Sequence, residues 1–195
     1  MWAVLLMVAA YFCGSLPIGV WAGRWAGIDV TRAGSGNIGA TNVARTAGRW
    51  PAIVTLLGDT AKGALPALVG RCIGPDPWLA ALVGLAAVFG HVFSVFLRLS
   101  GGKGVATAFG VFLVLTPAAA LLSATVFAVT AAATRYASLA SMLAATALPL
   151  AVAALRYPGP LEAAALAATA LILVRHRVNL TRLRRGVEPK FHIRS

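Results

Sequence analysis

The sequence predicts an all-α integral membrane protein, a compact bundle of seven transmembrane helices with its N-terminus outside and its C-terminus cytoplasmic. Three observations lead there. Of 195 residues, 59% are hydrophobic and 11% are charged, with a mean hydropathy of +0.85; a soluble domain carries about a quarter charged residues. The apolar residues gather into runs close to the ~20-residue length that spans a hydrocarbon core of about 30 Å. Seventeen Lys and Arg stand against five acids, a net charge of +12, and they fall singly or in small groups between those runs. That distribution suits positive-inside loops and anionic head groups, not a nucleic-acid-binding face.

The apolar runs are Trp2–Gly23, Pro51–Gly70, Trp78–Leu97, Val105–Thr134, Leu139–Leu155 and Leu161–Val174. The first lacks a basic leader and a small-x-small cleavage site, so it reads as a transmembrane helix and not as a signal peptide. Arg24, Arg32, Arg45 and Arg49 separate it from the second run and assign that loop to the inside. The loop from Arg71 to Pro77 has one Arg and one Asp and is expected outside. Arg98 and Lys103 return the chain to the inside, and the segment from Arg175 onward, which includes His192, is strongly basic. An even number of spans must therefore separate Lys103 from that segment, whereas three apolar runs lie between. Val105–Thr134 is long for one helix, and Thr116-Pro117 is its natural break, because proline disfavours helix in the residue before it. Splitting it there gives seven spans and places fourteen of the seventeen cations inside, Arg71 and Arg156 outside, and Lys62 within the second span. No repeat or linker divides the chain, so residues 1–195 are expected to form one domain. Cys13 and Cys72 sit at different expected depths, unpaired, and neither belongs to a C-x-x-C.

Three polar, glycine-bearing stretches fall on the expected inner side. The first runs Gly34-Ser35-Gly36-Asn37-Ile38-Gly39-Ala40-Thr41-Asn42 and is followed by Arg45; the second joins Gly90-His91-Val92-Phe93 to Ser100-Gly101-Gly102-Lys103-Gly104-Val105-Ala106-Thr107; the third comprises His176, Asn179, Arg182, Gly186, Glu188 and Lys190. Glycine lets backbone amides approach an anion, and a following helix N-terminus adds positive potential. Gly101, Gly102, Lys103 and Gly104 are therefore expected to cradle a phosphate, with Arg45, Asn37, Thr41 and Ser141 as further phosphate contacts. This is no ATP loop: Leu97 and Gly104 stand where a Walker motif needs Gly and Ser or Thr. A bare turn would also use Gly, Ser and Asn in the first stretch, but so many polar groups beside a membrane are costly unless used. Asp59 and Lys62, three residues apart inside the second span, share a helical face and suit either mutual neutralisation or a place in the site. Ser138 and Ser141 fit a helix cap and a packing serine as well as substrate contacts. His91 and His176 are the proton carriers beside these loops, although His91 also fits a packing role at a helix start. Without neighbouring cysteines or carboxylates they do not make a metal site, and no cofactor is expected.

Together these stretches resemble the bacterial acyl-phosphate:glycerol-3-phosphate acyltransferase family, PlsY. The resemblance rests on Ser35-Gly36-Asn37-x-Gly39-Ala40-Thr41-Asn42 with Arg45, on Gly90-His91-x-Phe93 followed by Gly101-Gly102-Lys103-Gly104-Val105-Ala106-Thr107, and on His176-Arg177-x-Asn179 followed by Arg182-Leu183-x-x-Gly186-x-Glu188-x-Lys190. Gly14-Ser15-Leu16-Pro17 and Asp59-x-x-Lys62-Gly63 extend it over nearly the whole chain. It implies an inner-membrane enzyme, facing the cytoplasm, that moves a fatty acyl group from acyl phosphate to the 1-hydroxyl of glycerol 3-phosphate, giving lysophosphatidic acid. It further implies that Ser35, Arg45, Lys103, Ser141, His176 and Asn179 are pocket residues, and that Glu188 matches the family's tail acid. Membrane lipids and an enzyme that supplies acyl phosphate are the implied partners. Ser100 and Val178 depart from the family pattern, which has a basic residue and a polar one there. The base remains open between His176 and a substrate phosphate, and Ser35 as a covalent acyl carrier is the lesser route. A transporter or channel for an anionic metabolite is the rival class; polar motifs crowded on one side, without repeat symmetry, weigh against it.

Overall fold

The computed structural model describes residues 1–191, and all regular structure among them is helical. The elements are α1 (Trp2–Ser15), α2 (Ile18–Trp25), α3 (Ala40–Thr46), α4 (Arg49–Ile73), α5 (Pro77–Val92), α6 (Val105–Leu115), α7 (Pro117–Thr134), α8 (Ala137–Ala154), α9 (Gly159–Arg175) and α10 (Arg177–Arg184). By length and composition, five stretches are able to cross a membrane: Trp2–Trp25, Arg49–Ile73, Pro77–Leu97, Pro117–Thr134 and Ala137–Ala154.

Proline sets the breaks. Pro17 interrupts the first apolar run between α1 and α2, because its missing N–H and fixed φ end the ladder that Ser15 closes. The run Val105–Thr134 divides where its sequence suggests: Leu115 ends α6, Thr116 turns, and Pro117 opens α7 at a first-turn position that needs no amide donor. α6 has 11 residues, about 16 Å at 1.5 Å per residue and roughly half of a hydrocarbon core. Pro66 and Pro149 sit inside α4 and α8 without ending them. Two short helices, α3 and α10, lie outside the long apolar runs, and the sequence reading did not anticipate them.

Backbone-to-backbone contact holds the bundle together. Without a hydrophobic force between helices in lipid, small residues gain close packing. At the α4–α6 crossing a Cβ on Gly63 would stand 2.1 Å from the Thr107 carbonyl oxygen, and one on Gly110 would stand 2.0 Å from that of Thr60. α1 and α5 meet in the same way through Gly14 and Gly90. Hydrogen bonds pin that second crossing, from Tyr11 Oη to Phe93 O at 2.7 Å and from Ser94 Oγ to Ser15 O at 2.6 Å. Phe112, Val88, Ala165 and Val152 fill the centre between α5, α6, α8 and α9. α7 fully buries only Ala119 and Ala120, and it packs on α8, where Ser123 Oγ donates to Ala144 O at 2.7 Å. Trp21, Trp25, Trp50 and Trp78 are exposed, as interfacial aromatics are.

Replacing Gly110 by Val drives a side chain into the Thr60 carbonyl, an overpacking cost of about 1–3 kcal/mol. It should lower the thermal unfolding midpoint in detergent by roughly 5 °C; an unchanged midpoint would mean that the α4–α6 crossing is slack.

Candidate active site

The three polar stretches converge although they are far apart in sequence. Asn42, 2% exposed, organises the first. Its Nδ2 donates to the carbonyls of Val30, Ala33 and Asn37, and its Oδ1 accepts from Ser35 N at 2.9 Å. One α3 side chain thereby folds the loop before its own helix. Asn37 Oδ1 accepts from Gly39 N at 2.8 Å, which shapes the entry to α3. Ser35, Asn37, Thr41 and Arg45 then border a cavity of about 350 Å³.

The second stretch supplies Lys103 and Gly104. Gly104 adopts φ +86°, a left-handed conformation suited to glycine, and it caps α6. The first-turn amides of α6 thus open beside Lys103, a donor-rich helix start of the kind that receives anions. Gly101 and Gly102, expected in the cradle itself, are placed elsewhere. Their amides donate to Val92 O and His91 O, each at 3.0 Å, and neither residue lines the cavity. These two glycines are small because the end of α5 lies against them: a Cβ on Gly102 would stand 2.1 Å from His91 Nε2. Arg175 Nη2 donates to Gly101 O at 3.0 Å and ties the loop to α9.

The third stretch closes the ring. Lys103 Nζ donates to Asn179 Oδ1 at 2.6 Å, Asn179 Nδ2 donates to Glu188 Oε1 at 2.7 Å, and Ser138 Oγ donates to the same oxygen at 2.7 Å. Arg45 Nη2 reaches across to Pro189 O at 3.0 Å, so residues 188–190 lie over the polar end as a strap. Ser138 makes no helix cap; its hydroxyl belongs to this network. Ser141 lines the cavity while donating to Ala137 O at 2.8 Å. Arg182, one α10 turn beyond Asn179, also lines it. The three-residue spacing of Asn179 and Arg182 was the available signal for that residue. Asp59 and His91 border the cavity, whereas Lys62 does not. Among the described residues no group of three or more His, Cys, Asp and Glu has the arrangement to hold a metal ion.

Burial sets the proton states. It pushes the Lys103 ammonium down to about 8, against the pull of Glu188 and helped by Arg182, Arg45 and Arg175. It pushes His176 down to about 4, with Lys103 adding to the effect. His176 Nδ1 lies 2.8 Å from Ile172 O and donates its proton there, which leaves the neutral ring with a bare Nε2 acceptor on a cavity-lining side chain. The Arg45 guanidinium is lowered by burial yet stays charged, and its Nε makes no hydrogen bond among the described residues.

Away from these groups the cavity becomes apolar. Phe109 and Phe112 of α6, Phe127 and Ala124 of α7, and Ala145 and Leu148 of α8 line the deep end. One volume therefore joins a cluster of phosphate-suited cations to a slot suited to a hydrocarbon chain.

Comparison with known proteins gives a consistent result. A glycerol-3-phosphate acyltransferase family model matches residues 4–186. The glycerol-3-phosphate acyltransferase of Geobacter sulfurreducens is 50% identical over 189 residues, 96% of this chain and 97% of its own. That of Thermus thermophilus is 43% identical over 193 residues, 99% of this chain and 97% of its own. The crystal structure of PlsY (YgiH), an integral membrane glycerol 3-phosphate acyltransferase, in its glycerol 3-phosphate form matches with a TM-score of 0.94 at 39% identity, over 98% of this chain and 96% of that one. Its lysophosphatidic acid form matches with a TM-score of 0.92.

The Lys103 value fixes a pH dependence. A lysine lowered to about 8 is charged below that pH and loses its proton as the pH rises through it. Affinity of the detergent-solubilised protein for a phosphate monoester, read by calorimetry, should fall above about pH 8 by up to about tenfold per unit. Lys103→Arg, whose guanidinium keeps its proton, should flatten the fall. A wild-type affinity that stays constant through this range would place the decisive charge elsewhere.

Proposed function

This chain belongs to the glycerol-3-phosphate acyltransferase family, and from that premise we propose that it transfers a fatty acyl group from acyl phosphate to the 1-hydroxyl of glycerol 3-phosphate. The products are 1-acyl-glycerol 3-phosphate and inorganic phosphate. One observation carries this reading: a single cavity has Arg45, Lys103, Arg182 and His176 at one end and the phenylalanines of α6 and α7 at the other.

That division suits the donor. Acyl phosphate is a mixed anhydride, with an alkyl chain for the apolar slot and a phosphate for the cations. The acceptor brings a second phosphate. Two phosphates repel at a low-dielectric boundary, and the cations together with the α6 amides offset that repulsion and fix the reacting groups. The 1-hydroxyl oxygen attacks the acyl carbonyl carbon; the carbonyl carbon–phosphate oxygen bond breaks, and phosphate leaves with the electron pair. A base near neutral pKa accepts the hydroxyl proton most effectively. His176, lowered to about 4, is a weaker base than a phosphate whose second pKa is near 6. The proton therefore goes to a substrate phosphate oxygen, while His176 Nε2 accepts a hydrogen bond from the neighbouring 2-hydroxyl and so orients the glycerol. Ser35 contributes polarity at the rim, and a covalent acyl-serine is unnecessary because the leaving group is already good. Asn37, Thr41 and Ser141 contact phosphate or glycerol oxygens. Gly104 completes the cradle that Gly101 and Gly102 support from behind.

The membrane arrangement is part of the proposal. Residues 1–195 form one acyltransferase unit with seven crossings: α1 with α2, then α4, α5, α6, α7, α8 and α9. The N-terminus is outside, and the site faces the cytoplasm at a bacterial inner membrane, where membrane lipids surround the bundle. Arg24, Arg32, Arg49, Arg98 and Arg184 then share the inner side, as the positive-inside bias requires. An enzyme that makes acyl phosphate is a transient partner at that face. No cofactor enters any step.

Purified protein should acylate labelled glycerol 3-phosphate with acyl phosphate and not with acyl-CoA or acyl-carrier protein. Product from a thioester alone would remove the donor assignment; no product from any donor would revive the anion-transporter reading. A second measurement tests the proton route. His176→Gln should keep measurable turnover at saturating substrates, with a loss no larger than about 10²-fold, and complete loss would make His176 the base.

A further inference from the structure

Below the glycine loop lies a buried charge cluster for which the acyl-transfer steps have no use. Asp59 and Lys62 of α4 are 1% and 3% exposed, and His91 of α5 is 3% exposed. Lys62 Nζ stands 2.8 Å from Asp59 Oδ1 and donates to Leu16 O, also at 2.8 Å. Leu16 O lies at the break between α1 and α2, where it also accepts from Ile18 N at 3.0 Å. The lysine is thus fixed at two points. Across the bundle, His91 Nδ1 faces the same carboxylate oxygen at 3.7 Å. That is too long for a hydrogen bond, yet in a low-dielectric interior a carboxylate still orients an N–H dipole at this range. The opposite edge of the ring carries Nε2, and Gly102 rests on it so closely that even a methyl group there would collide. His91 O accepts from Gly102 N as well, so both the backbone and the side chain of this histidine hold the residue before Lys103.

A buried ion pair is about neutral for stability against well-packed apolar residues, so stability alone gives this cluster no purpose. We propose that Lys62 and Asp59 are positioning residues that act through His91: they fix its ring, the ring sets the height of Gly102, and Gly102 sets where Lys103 and the α6 amides meet a phosphate. The substrate named here, glycerol 3-phosphate, rests on the functional reading above, while the effect on the loop does not. None of the three side chains needs to touch the reacting atoms.

The test compares wild type with Asp59→Asn and with the double substitution Asp59→Asn/Lys62→Met. The single change leaves Lys62 buried without its counter-charge and risks misfolding; the double change removes both charges at similar volume and keeps the experiment decisive. In the double variant the KM for glycerol 3-phosphate should rise at least about tenfold, while the KM for the acyl donor and the unfolding midpoint stay near wild type. A merely structural pair would shift the midpoint, or both KM values together, and either result overturns the proposal. So does an unchanged KM for glycerol 3-phosphate. Titration with inorganic phosphate gives a second readout that needs no turnover. If the wild type acylates nothing, the functional reading fails, yet a tenfold weaker phosphate affinity in the double variant still upholds the positioning role, and equal affinities reject it.

Discussion

The carboxylate of Glu188 is the charge around which the polar end of the cavity is arranged. Arg45, Lys103 and Arg182 line one small volume, and like charges so placed repel strongly once water is excluded. Glu188 offsets that repulsion before any substrate arrives. It accepts from Asn179 and Ser138, and through Asn179 it is linked to the Lys103 ammonium. Its second oxygen makes no hydrogen bond among the described residues, so the network is held from one side and left open on the other. A phosphate entering the cavity adds to an existing pattern of charge and does not have to assemble one. The polar end of the cavity is therefore electrostatically organised by the protein's own charges, which is the condition under which fixed dipoles lower a barrier without reorganising.

That preparation needs rigid supports, and the bundle supplies them by letting backbones touch. Gly63 against Thr107 and Gly110 against Thr60 lock α6 to α4, so the helix that opens beside Lys103 cannot drift from the helix that carries Asp59. α7 is different. It buries little beyond Ala119 and Ala120 and contributes Phe127 and Ala124 to the apolar slot. α6 serves both ends of the cavity, with Lys103 and Gly104 at its start and Phe109 and Phe112 in its later turns, while Ser123 Oγ of α7 donates to Ala144 O of α8 at 2.7 Å.

Much of this was legible in the sequence, for physical reasons. Hydropathy and the cation distribution reveal long helices because lipid punishes any other arrangement, and Thr116-Pro117 marked the break that the structure contains. The convergence of Ser35, Arg45, Lys103, His176 and Asn179 followed from three polar stretches lying beside apolar runs. The rest was hidden. A glycine is small for a ligand or for another backbone, and spacing does not say which, so the packing of Gly101 and Gly102 against His91 was not legible. α3 and α10 are too short and too polar to show an apolar period. Ser138 fitted a cap and a substrate contact equally because its partner, Glu188, lies 50 residues away, and no local pattern records a contact of that range.

Translation gives the strap at residues 188–190 a further meaning. Ser35 leaves the ribosome early and Pro189 late; at about 5–20 residues per second, roughly 10–30 s separate them. From the moment Lys103 is made until Glu188 follows, Arg45 and Lys103 stand in the nascent chain without the carboxylate that balances them. A half-made chain in the membrane therefore carries an uncompensated patch of cations, and the final stretch of synthesis is what neutralises it. Assembly of this charge pattern thereby waits on Glu188: a chain that has not reached it has helices and an unbalanced cluster of cations.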